Sequence, residues 1–492
     1  MLINYFIEMN RSPIVTILGH VDHGKTTLLD TIRKSRLVTK EHGGITQRIG
    51  GYEIKTGIKG YNIEKITFID TPGHEAFSKL RSRGANVADI AILIIDASDS
   101  VKPQTIESIA HIKSAKIPFI VAMNKMDLPG AKPEKVKKDL LKYEVVTESM
   151  GGDVVALPIS ATKEEGIREL LEAIVLIASD IDLSYDPNGS SEAYIIETKK
   201  DQRGMVVSSI IKNGTLRIGD EIYSNQEKIK IRALIDDRGK SVEEVIPSAP
   251  FEILGFSKLP EVGTLITSQH QVVSNSQEED RTDHSQMDVT SMLQREGEEK
   301  QKKLTVIIKA DAQGTLEAIL TALSDNKNIE IVLSSIGSIH RSDIFLAKTT
   351  KSIVIGFSVG VDNEVKQLAS QEKVIIKTYN IIYELLDELD EVSELIHEKE
   401  EREKNLKAQA KILATFVIEG ETVFGALVTK GKVNLGDTAE VYRKDKLIGK
   451  SKLTSLKNRS KTVQEVKKDQ ECGMQFTPAL DMKVGDVIKF IL

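Results

Sequence analysis

Three short runs hold residues whose types and spacing fit the handling of a phosphorylated nucleotide. The first, "GHVDHGKTT", follows the apolar run "PIVTILG" and frames Gly19, His20, Val21, Asp22, His23, Gly24, Lys25 and Thr26 as Gly-x-x-x-x-Gly-Lys-Thr, with Thr27 next. Gly19 and Gly24 allow a backbone to wrap phosphates. Their charge is met by N–H groups and by the start of a helix predicted over "TTLLDTIRKS". Lys25 can reach the β- and γ-phosphates, and the Thr26 hydroxyl can ligate Mg²⁺. The second run, "FIDTPGHEAF", ends an apolar stretch at Asp70, which can hold Mg²⁺ through water, and continues through Thr71, Pro72, Gly73 and His74. Gly73 would leave its N–H free for a γ-phosphate. His74 reads at this point as a catalytic group, a turn residue or a surface side chain. The third run, "NKMD", places Asn124, Lys125, Met126 and Asp127 after another apolar stretch. A carboxylate at Asp127 accepts hydrogen bonds from both N1 and the exocyclic N2 of guanine. Adenine lacks that donor pair, so GTP is expected over ATP. In this order, each at a strand end, the three runs predict a GTPase with Mg²⁺ as its cofactor.

Such groups need a sheet to position them. Residues 12–182 alternate β-branched runs with helical segments, the pattern of a mostly parallel α/β sheet. The strand candidates are "PIVTILG", "KITFID", "IAILIID", "IPFIVAM" and "VVALPIS". Ligands collect at the carboxyl ends of such strands, which is where the three motifs fall.

The rest of the chain divides by pattern. After the polar break "SYDPNGSSE", residues 190–268 give short alternating strands and frequent Gly, which predicts a β-barrel. Residues 269–303 are polar and poor in apolar anchors, and read as a flexible linker. Residues 304–380 form a second α/β domain from "LTVIIKA", "GTLEAILTAL", "IEIVLSSIG", "SIVIGFSV" and "KVIIKTY". In residues 381–410, Leu385, Leu389, Val392 and Ile396 recur at helical spacing. That predicts a long connecting helix running to about Ala410, its charge run a solvated surface. Residues 411–492 are again β-like and predict a C-terminal β-barrel. "GTLRIGD" and "GKVNLGD" share Gly-x-apolar-x-apolar-Gly-Asp, the kind of echo a duplicated module leaves. The expected fold class is multidomain α/β plus β: P-loop GTPase domain, β-barrel, second α/β domain, connecting helix and C-terminal β-barrel.

Composition sets outer limits. A chain of 492 residues is too long for one core. The single cysteine, Cys472, excludes an internal disulfide framework, and with only 9 His it argues against a structural zinc cluster. The net charge of −6 gives no average nucleic-acid signal. "MLINYFIEMNR" lacks a charged leader and a cleavage site, and no apolar run reaches the roughly 18 residues of a bilayer span. A soluble intracellular protein with no membrane partner is expected.

Taken together, "GHVDHGKTT", "DTPGH" and "NKMD" resemble the translational GTPases. "GHEAFSKLRSRGANVADIAILIIDASDSVKPQTIESI" and "ADAQGTLEAI" are similar to bacterial-type translation initiation factor two, and the similarity runs from about Ser12 to the C-terminus. The resemblance implies further site residues. "GGITQ" matches switch I, so Thr46 would join Thr26 and Asp70 around Mg²⁺ and close over the γ-phosphate. "ISAT" matches the guanine-contacting loop, with Ser160, Ala161 and Thr162. Val21 and Ile45 occupy the apolar gate beside the catalytic histidine. His74 then becomes the residue that orients the attacking water while Lys25 neutralises charge.

The family's last barrel holds the aminoacyl end of initiator tRNA. Residues 411–492 carry 15 Lys/Arg against 10 Asp/Glu, a locally basic module able to attract phosphate. "SLKNRSKTV" and "ECG" match the substrate-contacting segments, which nominates Lys457, Arg459, Lys461, Glu471, Cys472 and Gly473. Cys472 would line a pocket and not act as a catalytic thiol. The family's Lys-Arg-aromatic-Lys-Asp-Asp is replaced after Lys457 by Asn458, Arg459, Ser460, Lys461 and Thr462, and Ala426 stands where a second pocket cysteine is expected. These departures bear on how the formylmethionyl group is recognised. The resemblance implies a monomeric, ribosome-stimulated GTPase of initiation. Its partners would be the small and then the large ribosomal subunit, initiator tRNA and other initiation factors, in a bacterial cytoplasm or an organelle of bacterial descent. Contacts made by the amino-terminal extension of many relatives would be missing. A factor delivering elongator tRNA and a ribosome-binding scaffold are the rival readings.

Overall fold

The computed structural model describes residues 9–34, 46–225, 227–269, 303–418, 421–444, 446–459 and 461–491. Among them no helix is long and apolar enough to cross a membrane. The expected linker at 269–303 lies almost wholly outside the described residues. The described residues form two compact units, one made of residues 9–269 and Thr305–Leu389, the other of Lys303, Leu304 and the residues from Asp390 onward.

In the first unit, a six-stranded sheet is built from β1 (Ile14–Gly19), β2 (Gly50–Lys55), β3 (Lys65–Asp70), β4 (Ile90–Asp96), β5 (Phe119–Asn124) and β6 (Val155–Pro158). Its order is β2–β3–β1–β4–β5–β6, antiparallel only between β2 and β3. Helices α1 (Lys25–Arg33), α2 (Ser78–Val87), α3 (Pro103–Ala115), α4 (Pro133–Leu141) and α5 (Ile167–Asp180) accompany the strands. Successive residues of β4 feed two cores. Ile90, Ile92 and Ile94 join Leu28 and Leu170, while Ala91, Leu93 and Ile95 join Ile109 and Leu140. Burial on both faces explains why this strand reads as an unbroken apolar run. Strand β2 falls outside the five runs expected from sequence. Its paired glycines mask it, yet Tyr52 and Ile54 alternate onto the core.

An eight-stranded antiparallel sheet follows, anchored by β7 (Glu192–Asp201) and β8 (Gly204–Asn213) around a core that includes Ile195, Val207, Leu234 and Ile253. A four-stranded sheet comes next, made of β9 (Leu304–Ala310), β10 (Ile329–Ile336), β11 (Ile353–Phe357) and β12 (Ile376–Tyr379) in the order β10–β9–β11–β12. Its helices are α6 (Gln313–Leu323), α7 (Arg341–Thr350) and α8 (Asn363–Glu372). The last two were not expected. Their apolar positions are sparse, with Ile344, Ala347, Val365 and Ala369 supplying the buried face.

Helix α9 spans Ile382–Lys404 and does not continue to Ala410. Leu406 opens a strand instead, because Ala408, Ala410 and Ile412 alternate into the C-terminal core. There the strands Leu406–Ile418, Val487–Ile491, Thr438–Arg443, Lys446–Asn458, Glu471–Thr477 and Glu421–Asn434 pair in a ring that closes back on the first. Closure removes the exposed edges of the sheet.

The Gly-Asp echo has a structural counterpart. Gly219 and Gly436 both adopt positive φ, 96° and 92°. The following Asp220 and Asp437 accept from the backbone N–H of Arg217 and Asn434 at 2.8 and 2.9 Å. In each case the turn trades backbone hydrogen bonds with the strand opposite, through Ile231 in one barrel and Leu453 in the other.

Candidate active site

Strand β1 ends at Gly19, and its continuation turns through Gly24 into α1. Both glycines hold positive φ, 149° and 96°. A Cβ at Gly19 would strike the Ile94 carbonyl, and one at Gly24 the Asn124 amide. No other residue type fits this close approach. Lys25 is buried and donates to the carbonyls of Gly19 and His20 at 3.0 and 2.6 Å. Burial lowers its ammonium to about 8, with Asp70 opposing and Arg81 adding to the shift. The loop's other histidine, His23, is buried too, and desolvation brings it down to about 4, so it is neutral at pH 7. His20 packs edge-on to it with centroids 5.0 Å apart.

The three proposed metal ligands come together. Thr26 Oγ1 lies 2.7 Å from Thr46 Oγ1, which donates to Asp70 Oδ2 at 3.2 Å. Two hydroxyls and a carboxylate form a hard-oxygen set of the kind Mg²⁺ takes when phosphates and water supply the rest, so the residues fit that ion. Among the described residues no group of His, Cys, Asp and Glu is arranged to hold another metal. A cleft of about 320 Å³ is lined by Val21, Asp22, Gly24, Lys25, Thr26, Thr27, Thr46, Gly73, His74 and Lys125, joined by Tyr383. Ile45, the other expected gate residue, lies outside the described residues.

At the end of β3, Thr71 donates to the Ile17 carbonyl at 2.8 Å, and the Pro72 carbonyl accepts from Arg81 at 3.0 Å. His74 begins a single 3₁₀ turn, its Nδ1 accepting from the N–H of Ala76 at 2.9 Å. Its ring lies 4.2 Å from that of Tyr383, centroid to centroid.

The Asn124–Asp127 turn and the Ser160–Thr162 loop are tied to each other and to the loop before α1. Asn124 donates to the His23 carbonyl at 2.9 Å and accepts from the Ala161 N–H at 3.0 Å. Met126 N–H reaches the Ile159 carbonyl at 3.2 Å, and Lys125 pairs with Asp96 at 2.8 Å. Asp127 accepts from Ser160 Oγ at 2.7 Å, the main reason its carboxyl falls below the usual range. Thr162 is exposed beside this turn.

Sequence reasoning missed several groups that shape the cleft. Gln104 accepts from the Val21 N–H at 3.1 Å. Gln47, adjacent to Thr46, donates to the Asn380 carbonyl at 2.8 Å and accepts from the Ile382 N–H at 3.1 Å. Arg81 is wholly buried beneath the Pro72–Glu75 backbone. It lies seven residues after His74, past the 3₁₀ turn and in the first turn of α2, where no local spacing marks it.

Six residues were nominated for tRNA, all in the second unit. Lys457 faces Gly473 across paired strands, Cys472 faces Ala426, and Asn458 faces Lys461. Lys457, Arg459, Lys461 and Glu471 are exposed. Cys472 is buried in the barrel core, its thiol near the Ala426 carbonyl at 3.5 Å and pushed up to about 11 by burial. That is an inert thiol.

A mostly parallel sheet with a Gly-x-x-x-x-Gly-Lys-Thr loop, the Asp70 carboxylate beside it and an Asn-Lys-x-Asp turn is the arrangement of a P-loop GTP-binding domain. The family model described as Elongation factor Tu GTP binding domain matches residues 10–180, Elongation factor G domain 2 matches 190–269, and Translation-initiation factor 2 matches 278–390. The chain belongs to the translation initiation factor IF-2 family. It is 40% identical to Translation initiation factor IF-2 of Halothermothrix orenii, covering 97% of this chain and 71% of that one. It is 42% identical to the Bartonella henselae protein of the same name, covering 97% and 58%. Against most such relatives the chain spans little more than half their length, as in the 56% of the Persephonella marina protein. A solved structure of GDP-bound aIF5B from Aeropyrum pernix aligns at 27% identity and a TM-score of 0.46, over 98% of this chain and 92% of that one.

Proposed function

We propose that the chain is a GTP-hydrolysing translation initiation factor. It binds initiator tRNA, promotes its placement on the small ribosomal subunit and subunit joining, and leaves after hydrolysis. The observation that carries this reading is the convergence of Lys25, Thr46, Gly73 and His74 on one cleft that Lys125 of the guanine-type turn also lines, with Asn124 of the same turn bonded to the phosphate loop at the His23 carbonyl. In it, Lys25 and the amides of the phosphate loop meet the phosphates' charge. Asp127 reads the guanine edge, and Thr46 and Gly73 respond to the γ-phosphate. Thr26, Thr46 and Asp70 hold Mg²⁺, which neutralises phosphate charge when bound. His74 orients the attacking water beside Val21, which lines the same cleft.

The exposed Lys457, Arg459 and Lys461 form the tRNA-facing surface, near Glu471 and Gly473. Small subunit, large subunit and other initiation factors are the partners, no membrane is involved, the chain is a monomer, and the compartment is a bacterial cytoplasm or an organelle descended from one. The test is binding of formylmethionyl initiator tRNA against an elongator aminoacyl-tRNA, for wild type and the triple Lys457→Ala, Arg459→Ala, Lys461→Ala variant. Initiator preference with a salt slope lowered by about 2 in the variant is expected. Equal binding of both tRNAs would favour an elongator-delivering factor instead.

A further inference from the structure

We propose that Arg81 is a positioning residue that turns the Gly73 amide toward the terminal phosphate, so that the cleft distinguishes a nucleoside triphosphate from a diphosphate. The inference rests on reading the cleft as a guanine-nucleotide site.

Arg81 does not line the cleft. It sits beneath it on α2, wholly buried, and its guanidinium gathers the carbonyls of the loop above. Nη1 donates to the Pro72 carbonyl at 3.0 Å and to that of His74, and Nη2 lies 3.4 Å from that of Glu75. The same Nη2 meets both oxygens of Glu107 on α3, at 2.8 and 2.7 Å. Glu107 is itself held by His111 at 3.2 Å, so the fork has a fixed, charged anchor. The helix packs tightly against the strand end from which the loop springs. At Gly84, one turn on, a Cβ would already sit 2.7 Å from the Thr71 methyl and 3.1 Å from the Thr16 hydroxyl.

Peptide geometry supplies the next step. The one cis bond among the described residues is Thr477–Pro478, so the Pro72–Gly73 peptide is trans. In a trans peptide the carbonyl and the following N–H point in opposite directions. Holding the Pro72 carbonyl down on Arg81 therefore sends the Gly73 N–H up and away from it. The phosphate loop lies close on Gly73: a Cβ there would run into the Lys25 ammonium and come within 3.3 Å of the Val21 Cα. A donor fixed in that direction costs nothing to reorganise when a third phosphate arrives. A diphosphate offers it no partner. Lysine at 81 would keep the charge but could not gather several carbonyls and a carboxylate from one planar fork.

The test is titration of the full chain with GDP and with a non-hydrolysable GTP analogue, for wild type, Arg81→Lys and Glu107→Gln. Arg81→Lys is expected to bind GDP within about two-fold of wild type and the analogue about five- to ten-fold more weakly. Glu107→Gln should shift the same ratio by less, and serves if Arg81→Lys fails to fold. Equal weakening of both ligands would make Arg81 a purely structural residue and overturn the proposal, as would an unchanged ratio in both variants. If wild type bound no guanine nucleotide, the reading of the cleft would fail before the clamp was tested.

Discussion

The Nδ1 atom of His74 accepts a hydrogen bond from the backbone N–H of Ala76 at 2.9 Å, which leaves the proton of the neutral ring on Nε2. Burial lowers the ring's pKa, with Glu75 opposing and Arg81 adding, so it is neutral at pH 7. In this state His74 offers an N–H donor, suited to orienting water or meeting a phosphate oxygen, and not a free base. His74→Gln, which keeps a donor, is expected to retain more hydrolysis than His74→Ala. The wild-type single-turnover rate should be flat between about pH 7 and 8. A rate that rises there with one ionisation and loses that rise in His74→Gln would make His74 a base.

Lys25 predicts proton uptake on nucleotide binding. Its free-state value of about 8 is set by burial. Phosphates favour the charged form and raise it. Between the two values the protein must acquire a proton to bind, so affinity falls as pH rises above 8, by up to about tenfold per unit. Calorimetry at pH 9 in buffers of different ionisation enthalpy should register uptake approaching one proton. No uptake would contradict the assignment.

Asp127 predicts base specificity. Replacing its carboxylate by an amide removes an acceptor and adds a donor. Asp127→Asn should therefore lose GTP affinity by about 100-fold and gain affinity for a xanthine nucleotide, whose 2-position carries an acceptor. Competitive displacement reads both. Unchanged preference would remove Asp127 from base recognition.

Glu197 predicts a stability change with pH. On β7, it accepts from the N–H groups of Thr198 and Gly314 at 2.9 and 3.1 Å, the second at the start of α6. Burial raises it to about 7, with those donors and Arg83 opposing. The folded chain thus holds this proton more tightly than the unfolded one. Its contribution is full below the ordinary value of 4.5 and is lost as pH rises toward 7. Glu197→Gln is expected to be more stable than wild type at pH 8, by up to about 3 kcal/mol, and little changed at pH 5. Melting midpoints at the two pH values decide it; a variant less stable at pH 8 would refute the sign.

The phosphate loop, the Asp70–His74 run and Asn124–Asp127 were legible in sequence because each packs its chemistry into contiguous residues at a strand end. Thr46 needed the family resemblance, since a lone loop hydroxyl carries no pattern. Gln47 and Tyr383 were illegible for a different reason. Their roles come from contacts between the first body of the fold and residues 380–383 in the same unit, which no local spacing encodes. The fold shows the same division. The buried strand β4 announces itself, whereas β2 hides behind two glycines. The end of α9 was misplaced because a charged helix and an exposed strand face look alike until Ala408, Ala410 and Ile412 find their core.

The central claim is most directly tested by single-turnover GTP hydrolysis with and without ribosomes and formylated initiator tRNA, for wild type and His74→Ala. Strong stimulation of wild type, with a loss of about 100-fold or more in His74→Ala at little cost in nucleotide affinity, is the predicted result. Hydrolysis that ribosomes do not stimulate, or that the substitution leaves unchanged, would contradict it.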